Sequence, residues 1–139
     1  MKYGNLTIEK KEYVMLKRFL NLSGYHRDST FKKSIKKLSE ELNLAIICDH
    51  IEMPKDVIRF NSIVTITTHN HWTKEFQLVI PKDSDIKNNK VSILTPMGAA
   101  VIGYAEGDTI LWEFPTGEQQ LIVSKVEQKN SQIDINVLL

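Results

Sequence analysis

The sequence has a single cysteine, Cys48, among 139 residues. One cysteine excludes an internal disulfide and fits a reducing compartment. Long hydrophobic runs are also missing: no apolar stretch approaches the roughly 20 residues that a membrane-spanning helix needs. The first residues, Met1 to Asn5, are not followed by the apolar region of a signal peptide. We therefore expect a cytoplasmic protein that does not enter a membrane.

The short motifs of common catalytic sites are absent as well. The sequence contains no Ser-His-Asp order, no nucleophile elbow and no phosphate-cradling glycine loop. His69 and His71 lack further ligands at the spacing of a transition-metal site, and an exposed hairpin turn is the expected place for them. We predict no catalytic residue, no metal site and no cofactor.

Charge is unevenly distributed along a chain whose formal net charge is only +1. Residues 1–50 carry ten basic and six acidic side chains, whereas residues 51–139 carry eight basic and eleven acidic ones. Because the two parts differ in surface charge, we expect them to differ in role. We place the domain boundary between residues 50 and 51.

Two amphipathic helices are predicted for residues 1–50. Thr7 has the chemistry of an N-cap for a first helix that ends at Leu20 or Leu22. In the second helix apolar residues recur at spacings of three and four: Phe31, Ile35, Leu38, Leu42, and Ala45 or Ile46. The two helices predict a short antiparallel hairpin. A second helix of about 18 residues would be roughly 27 Å long.

Residues 51–139 predict an α+β domain. Alternating or β-branched runs predict five antiparallel strands, at 63–68, 74–80, 91–94, 109–114 and 121–126. Between the third and fourth of these strands lies one short helix, which Thr95 caps and Pro96 begins. Gly98, Gly103 and Gly107 are expected to terminate local structure. Near the C-terminus Ile133, Ile135 and Val137 alternate with polar residues. This pattern leaves two alternatives open, an added edge strand and an irregular tail.

The residues around this helix carry a family resemblance. Ser92-x-x-Thr95-Pro96-Met97, followed by Gly-Asp at 107–108, resembles the C-terminal domain of the bacterial transcript-cleavage factors GreA and GreB. Within that superfamily, Glu52-Met53-Pro54-x-Asp56-Val57 and Trp112-Glu113-x-Pro115-x-Gly117 resemble the Rnk proteins, regulators of nucleoside diphosphate kinase. The resemblance covers residues 52–127. It implies an FKBP-like fold and a shortened form of the family's N-terminal coiled coil.

The resemblance also implies a partner, bacterial RNA polymerase, which the family binds at the rim of the secondary channel. The matching positions are Ser92, Leu94, Thr95, Pro96 and Met97. Leu94 differs from the Gre factors, which often have a carboxylate or amide there, and an apolar patch suits contact with a partner helix. The alternative is that Thr95 and Pro96 only begin a helix and that Leu94 belongs to the core.

The predicted hairpin tip is poor in carboxylates. Cleavage factors of the family hold a magnesium ion with two or more acidic residues at this tip, and hard cations need several oxygen ligands. Here the tip consists of Tyr25, His26, Arg27 and Asp28. We therefore expect a monomeric, non-enzymatic regulator that competes with Gre-type factors and does not stimulate RNA cleavage.

Two other functions are weighed against this one. A Gre-type cleavage factor would depend on Asp28, for which a helix cap is the simpler role. A peptidyl-prolyl isomerase, suggested only by the implied fold, would need a concave aromatic pocket, to which the sequence could contribute Trp72, Phe76, Trp112 and Phe114.

A basic face is predicted on the second helix. Its members, at helical spacing, are Lys32, Lys33, Lys36 and Lys37. Such a face could follow nucleic-acid phosphates or could simply be solvated. No aromatic residues are interleaved to stack on bases, so we expect only weak or indirect contact with nucleic acid.

Overall fold

The structure is a computed structural model that describes residues 1–22, 29–68, 70, 72–114 and 117–129. Three α-helices, seven β-strands and three short 3-10 turns are formed by these residues. The helices are α1 (Lys10–Leu22), α2 (Ser29–Leu42) and α3 (Pro96–Val101). The strands are β1 (Thr7–Glu9), β2 (Ile46–Cys48), β3 (Ile63–Thr68), β4 (Thr73–Val79), β5 (Lys90–Ser92), β6 (Thr109–Phe114) and β7 (Gly117–Glu127).

Five strands form the main sheet in the order β5-β4-β3-β7-β6. β3 pairs antiparallel with β4 and β7, and β6 pairs antiparallel with β7. The prediction of an entirely antiparallel sheet is wrong at one edge, where β5 runs parallel to β4. The reason is the connection, because 3-10 turns at Pro81–Asp83 and Ile86–Asn88 bring the chain back to the level of Gln77, near the end of β4, before β5 begins.

One hydrophobic core joins the helices to the sheet. Side chains on the inner face of β3 alternate with solvent-facing ones, as expected of a sheet covered on one side. Residues of α1 and α2 belong to the same buried cluster as residues of the sheet: Met15, Leu16, Phe19, Leu38, Leu42, Val64, Ile66, Phe76 and Leu78. The domain boundary at residue 50, like the FKBP-like assignment, stays a prediction.

The first residues differ from the sequence prediction. Thr7 is not an N-cap; it begins β1, which pairs parallel with β2 in the register Thr7 to Ile46. The cap of α1 is supplied by Glu9, whose carboxylate accepts hydrogen bonds from the backbone N–H of Lys11 at 2.6 Å and of Glu12 at 3.4 Å. A carboxylate at this end also complements the helix dipole.

The second helix is shorter than predicted. It ends at Leu42, and Ile46 lies in β2. Ile46 and Ile47 are β-branched, and in the folded chain their backbone is paired with β1, 39 residues away in sequence. With 14 residues, α2 is roughly 21 Å long. The predicted tip, Tyr25 to Asp28, lies outside the described residues, and the antiparallel hairpin stays a prediction.

A buried ion pair holds α1 to the chain that enters the sheet. Arg59 Nε donates to Glu12 Oε2 at 2.8 Å, and the Phe60 N–H donates to Glu12 Oε1 at 3.1 Å. Both charged side chains are almost completely buried. Burial raises the pKa of the Glu12 carboxyl above its usual value, although Arg59 and the Phe60 N–H favour the ionised form. The pair therefore fixes position at a cost in desolvation.

We predict that Glu12→Ala lowers the free energy of unfolding by about 3–5 kcal/mol, because it leaves the Arg59 charge buried without a partner. Removing both charges in Glu12→Ala/Arg59→Met should cost less than the single change. Urea denaturation measures both values. Glu40→Ala, at an exposed position of α2, serves as the control and should change stability by no more than about 0.5 kcal/mol. Equal losses at positions 12 and 40 would contradict the role of the pair.

Candidate partner-binding site

The corner between β5 and α3, residues 92–97, contains all the positions predicted for partner binding. Ser92 ends β5, and its carbonyl oxygen accepts from the Thr95 N–H at 3.0 Å and from the Thr95 hydroxyl at 2.7 Å. The Ser92 hydroxyl oxygen accepts from the Leu94 N–H at 3.0 Å. Three hydrogen bonds therefore close the turn within four residues.

The start of α3 agrees with the sequence prediction. The Thr95 hydroxyl accepts a hydrogen bond from the Gly98 N–H at 3.1 Å, which is the bond of an N-cap. Pro96 occupies the first turn, where a missing donor costs nothing. The Thr95 hydroxyl thus donates to β5 and accepts from α3, and it links the two elements directly.

The predicted contact residues differ in exposure. Leu94, Thr95, Pro96 and Met97 are half-buried, and Leu94 and Met97 also pack against the core. Ser92 is buried, and its polar groups are used inside the turn. The corner therefore presents apolar surface from Leu94 to Met97, while Ser92 holds that surface in place.

Gly98 has a role that the sequence prediction missed. It does not terminate local structure; it lies inside α3 against the end of β5. A Cβ atom at this position would be 2.2 Å from the carbonyl oxygen of Ser92, far inside contact distance. A glycine between Pro96 and two alanines is the only signal in the sequence, and it does not identify the atom that excludes a side chain.

Tyr104 and Asp108 hold the segment that follows α3 in place. The Tyr104 hydroxyl donates to Glu41 Oε2 of α2 at 3.0 Å, and burial together with Glu41 raises the pKa of Tyr104. Asp108, in the Gly-Asp signal, is buried and accepts from the N–H of Ala105 at 2.8 Å and of Lys2 at 2.6 Å. These bonds tie the segment after α3 to α2 and to the first residues of the chain.

The other predicted site residues belong to α2, to the predicted hairpin tip and to the predicted turn at 69–71. The basic side chains of α2 are exposed, as predicted for a surface face: Lys32, Lys33, Lys36 and Lys37. The tip residues Tyr25, His26, Arg27 and Asp28 and the two histidines of the turn, His69 and His71, lie outside the described residues.

No metal site is formed by the part of the chain that the structure describes, since no three His, Cys, Asp or Glu side chains converge there. No described helix is both long enough and apolar enough to cross a bilayer. Phe76, proposed for an aromatic pocket, is buried in the core, whereas Trp72 is exposed. These two rings therefore do not line a common cavity as the isomerase alternative would require.

Comparison with known proteins identifies the class to which this fold and corner belong. Residues 53–128 match the family described as "Transcription elongation factor, GreA/GreB, C-term", and the chain is a member of that family.

Among individual proteins, it is similar to the "Regulator of nucleoside diphosphate kinase" of Escherichia coli K12. The two are 37% identical over 81 residues, which cover 58% of this chain and 60% of the relative.

Elongation factors and a solved structure extend the comparison. The "Transcription elongation factor GreA" of Sphingopyxis alaskensis is 30% identical over 101 residues, 73% of this chain and 64% of the relative. These matches span less than two thirds of the length of either curated relative. The "Prokaryotic transcription elongation factor GreA/GreB from Nitrosomonas europaea" is 28% identical with a TM-score of 0.72, over 90% of this chain and 99% of that one.

We predict that Gly98→Ala lowers the free energy of unfolding by about 1–3 kcal/mol, because the added methyl group displaces α3 from the Ser92 carbonyl. An alanine in an unobstructed helix would instead stabilise it by about 1 kcal/mol. Urea denaturation distinguishes the two signs. Ala100→Ser, two residues further along the same helix, should change stability by about 0.5 kcal/mol or less. A Gly98→Ala variant at least as stable as the parent would refute the close approach.

Proposed function

We propose that this protein is a non-enzymatic regulator that binds bacterial RNA polymerase at the rim of its secondary channel through residues 94–97. The observation that carries the proposal is the corner itself. Its backbone is fixed by the hydrogen bonds of Ser92 and Thr95, yet Leu94, Pro96 and Met97 keep part of their apolar surface exposed. A preformed apolar surface loses little conformational entropy on binding.

The chemistry of this surface fits a helical partner. Partly exposed aliphatic and thioether side chains can insert between the side chains of a helix pair, as other apolar anchors do. The corner offers no charged side chain from Ser92 to Val101, so that binding would depend on shape and apolar contact. The apolar surface and the lack of charge both agree with the resemblance of Thr95-Pro96-Met97 to the Gre family, which implies binding to the polymerase through these positions.

We propose that the protein does not stimulate RNA cleavage because of the composition of residues 1–50, which we call the arm. Among residues 23–28, Asp28 is the only residue with a carboxylate, and a single carboxylate makes a weak magnesium site. With α2 roughly 21 Å long, the arm would be a short one. We infer that it occupies space in the channel and competes with Gre-type factors without supplying a metal ion. The similarity to a protein named as a regulator supports this reading.

We predict that Leu94→Asp and Pro96→Asn each weaken binding to core RNA polymerase at least tenfold, about 1.4 kcal/mol, because a charge or a polar group replaces apolar contact surface. Titration of the labelled protein with core polymerase measures the affinity. The control is Leu111→Asp, an exposed leucine on β6 at the edge of the sheet opposite β5. It should bind as the parent does.

Thermal unfolding must accompany the titration, because Leu94 packs partly against the core. Folded Leu94→Asp and Pro96→Asn proteins with unchanged affinity would exclude the corner as the contact surface. If the protein shortened the RNA of backtracked complexes, the non-enzymatic part of the proposal would fail while the docking part could stand.

A further inference from the structure

The segment from Leu44 to Ile51, which we call the 44–51 segment, exposes several aliphatic side chains within a short stretch. Leu44 is 70% exposed, Ile46 40%, Ile47 44% and Ile51 94%. Single exposed apolar residues are ordinary on protein surfaces, but four within eight residues indicate an interaction surface. None of these residues belongs to the corner at 92–97, so this surface is separate from the one proposed for the polymerase.

The two-stranded sheet of β1 and β2 has one open edge. Both edges of β1 are occupied, since it pairs with β2 on one side and the Thr7 N–H donates to the Gly103 carbonyl at 3.2 Å on the other. On β2 the Ile46 N–H donates to the Leu6 carbonyl at 2.7 Å, so Ile46 turns its backbone groups toward β1. Alternate residues of a parallel pair face the neighbouring strand, and the N–H and C=O of Ile47 therefore point away from β1. Among the described residues β2 pairs with β1 alone.

This open edge lacks the features that keep exposed strands apart. Natural proteins protect such edges with lysine, proline or a bulge. Residues 45–48 are Ala, Ile, Ile and Cys, with neither a charged residue nor a proline among them. The first charged residue after the strand, Asp49, has a partner within its own chain, since its Oδ1 lies 3.9 Å from Lys10 Nζ. The edge of β2 is therefore suited to a second uncharged strand.

From these observations we propose that two copies of the chain pair antiparallel through β2, about a two-fold axis at Ile47. A two-fold interface uses the same surface of both copies. In an antiparallel pair, two residues directly opposite each other exchange both of their backbone hydrogen bonds. Ile47 has one outward N–H and one outward C=O, so that the two copies of this residue satisfy each other.

The side chains that this pairing brings together are apolar. Ile47 faces Ile47 of the second copy, and Ile46 faces Cys48 of the second copy on the other side of the two strands. Apolar cross-strand pairs of this kind stabilise antiparallel strands. One position further from the axis, Asp49 faces Ala45 of the second copy, so no two like charges lie opposite each other.

The extent of the surface predicts a weak dimer. A stable interface buries about 800 Å² per partner over 20–30 residues, whereas the 44–51 segment offers four exposed aliphatic side chains. Pairing through this segment therefore suits a dissociation constant on the order of 100 µM. The monomer expected from the sequence would then be the state of the protein at lower concentrations.

Disulfide formation at position 47 tests the two-fold pairing, in full-length chains whose own cysteine is removed by Cys48→Ser. Opposite residues of a hydrogen-bonded antiparallel pair have Cα atoms about 5.5 Å apart, which lies within the range of disulfides. Copper phenanthroline and dissolved oxygen serve as the oxidant, which takes up the two electrons and two protons of each thiol pair. Ile47→Cys should form covalent dimers, and non-reducing electrophoresis measures their rate of formation.

Two matched variants separate pairing from random collision. Ile86→Cys replaces an isoleucine that is 82% exposed and lies outside the 44–51 segment, so collision alone would favour it over Ile47→Cys. Ile46→Cys is displaced from the axis and would face position 48 of the second copy instead of its own counterpart. Ile47→Cys should cross-link at least about tenfold faster than either variant, because its two thiols alone are held within disulfide range. Cross-linking at position 47 that is no faster than at position 86 would overturn the proposal.

Sedimentation equilibrium measures the same association without a covalent bond. The mean mass of the parent chain should rise toward twice that of the monomer between about 10 µM and about 1 mM. Ile47→Asp would place two carboxylates opposite each other and should remain monomeric, whereas Ile86→Asp should associate as the parent does. Thermal unfolding establishes that both variants are folded, as the exposure of these positions leads us to expect.

Two results of the sedimentation experiment would overturn the proposal: a parent that stays monomeric at about 1 mM, or a folded Ile47→Asp variant that associates as strongly as the parent. Neither result would affect the proposed binding of polymerase, because the corner at 92–97 shares no residue with the 44–51 segment.

Discussion

The close approach of α3 to the end of β5 is the constraint on which the candidate site depends. The Ser92 carbonyl accepts two hydrogen bonds from Thr95, and the backbone of Gly98 lies where a side chain would meet that carbonyl. Because Thr95 and Gly98 both lie against the Ser92 carbonyl oxygen, the turn from Ser92 to Gly98 has little conformational freedom. Leu94 and Met97 are consequently held at the surface of the core, neither fully inside it nor fully in solvent.

The rest of the fold ties the segments around the sheet to α1 and α2. The buried pair Glu12–Arg59 joins α1 to the entry of the sheet, and Tyr104 joins α2 to the segment that follows α3. Each link costs desolvation and is balanced by hydrogen bonds, so it contributes more to a defined arrangement than to net stability. The regulator proposed above, which would dock with one surface and obstruct with another, would need such a defined arrangement.

Local signals predicted the corner well. Thr95 and Pro96 were predicted as the cap and the first residue of α3, and this cap depends only on groups that lie within four residues in sequence. The strands at 63–68 and 109–114 were also predicted with the observed bounds, because β-branched and alternating runs indicate strands without reference to their partners.

Predictions failed where a distant partner decided the outcome. Ile46 continued the helical spacing of α2, but pairing with Thr7 draws it into a strand. Glu12 gave no sign of burial in the sequence, since its partner Arg59 is 47 residues away. The parallel pairing of β5 likewise depends on how residues 80–89 turn in space. Of the site, the residue types were predictable, whereas the burial of Ser92 and the role of Gly98 required three-dimensional contacts.

The central claim is that residues 94–97 touch the polymerase, and site-specific photo-cross-linking tests it most directly. A photoreactive amino acid would replace Met97 in one protein and the exposed Leu111 in another, and each would be irradiated with core RNA polymerase. The account predicts a covalent adduct with polymerase from position 97 and none from position 111. Adducts from position 111 alone would contradict it, because the contact surface would then lie at the far edge of the sheet.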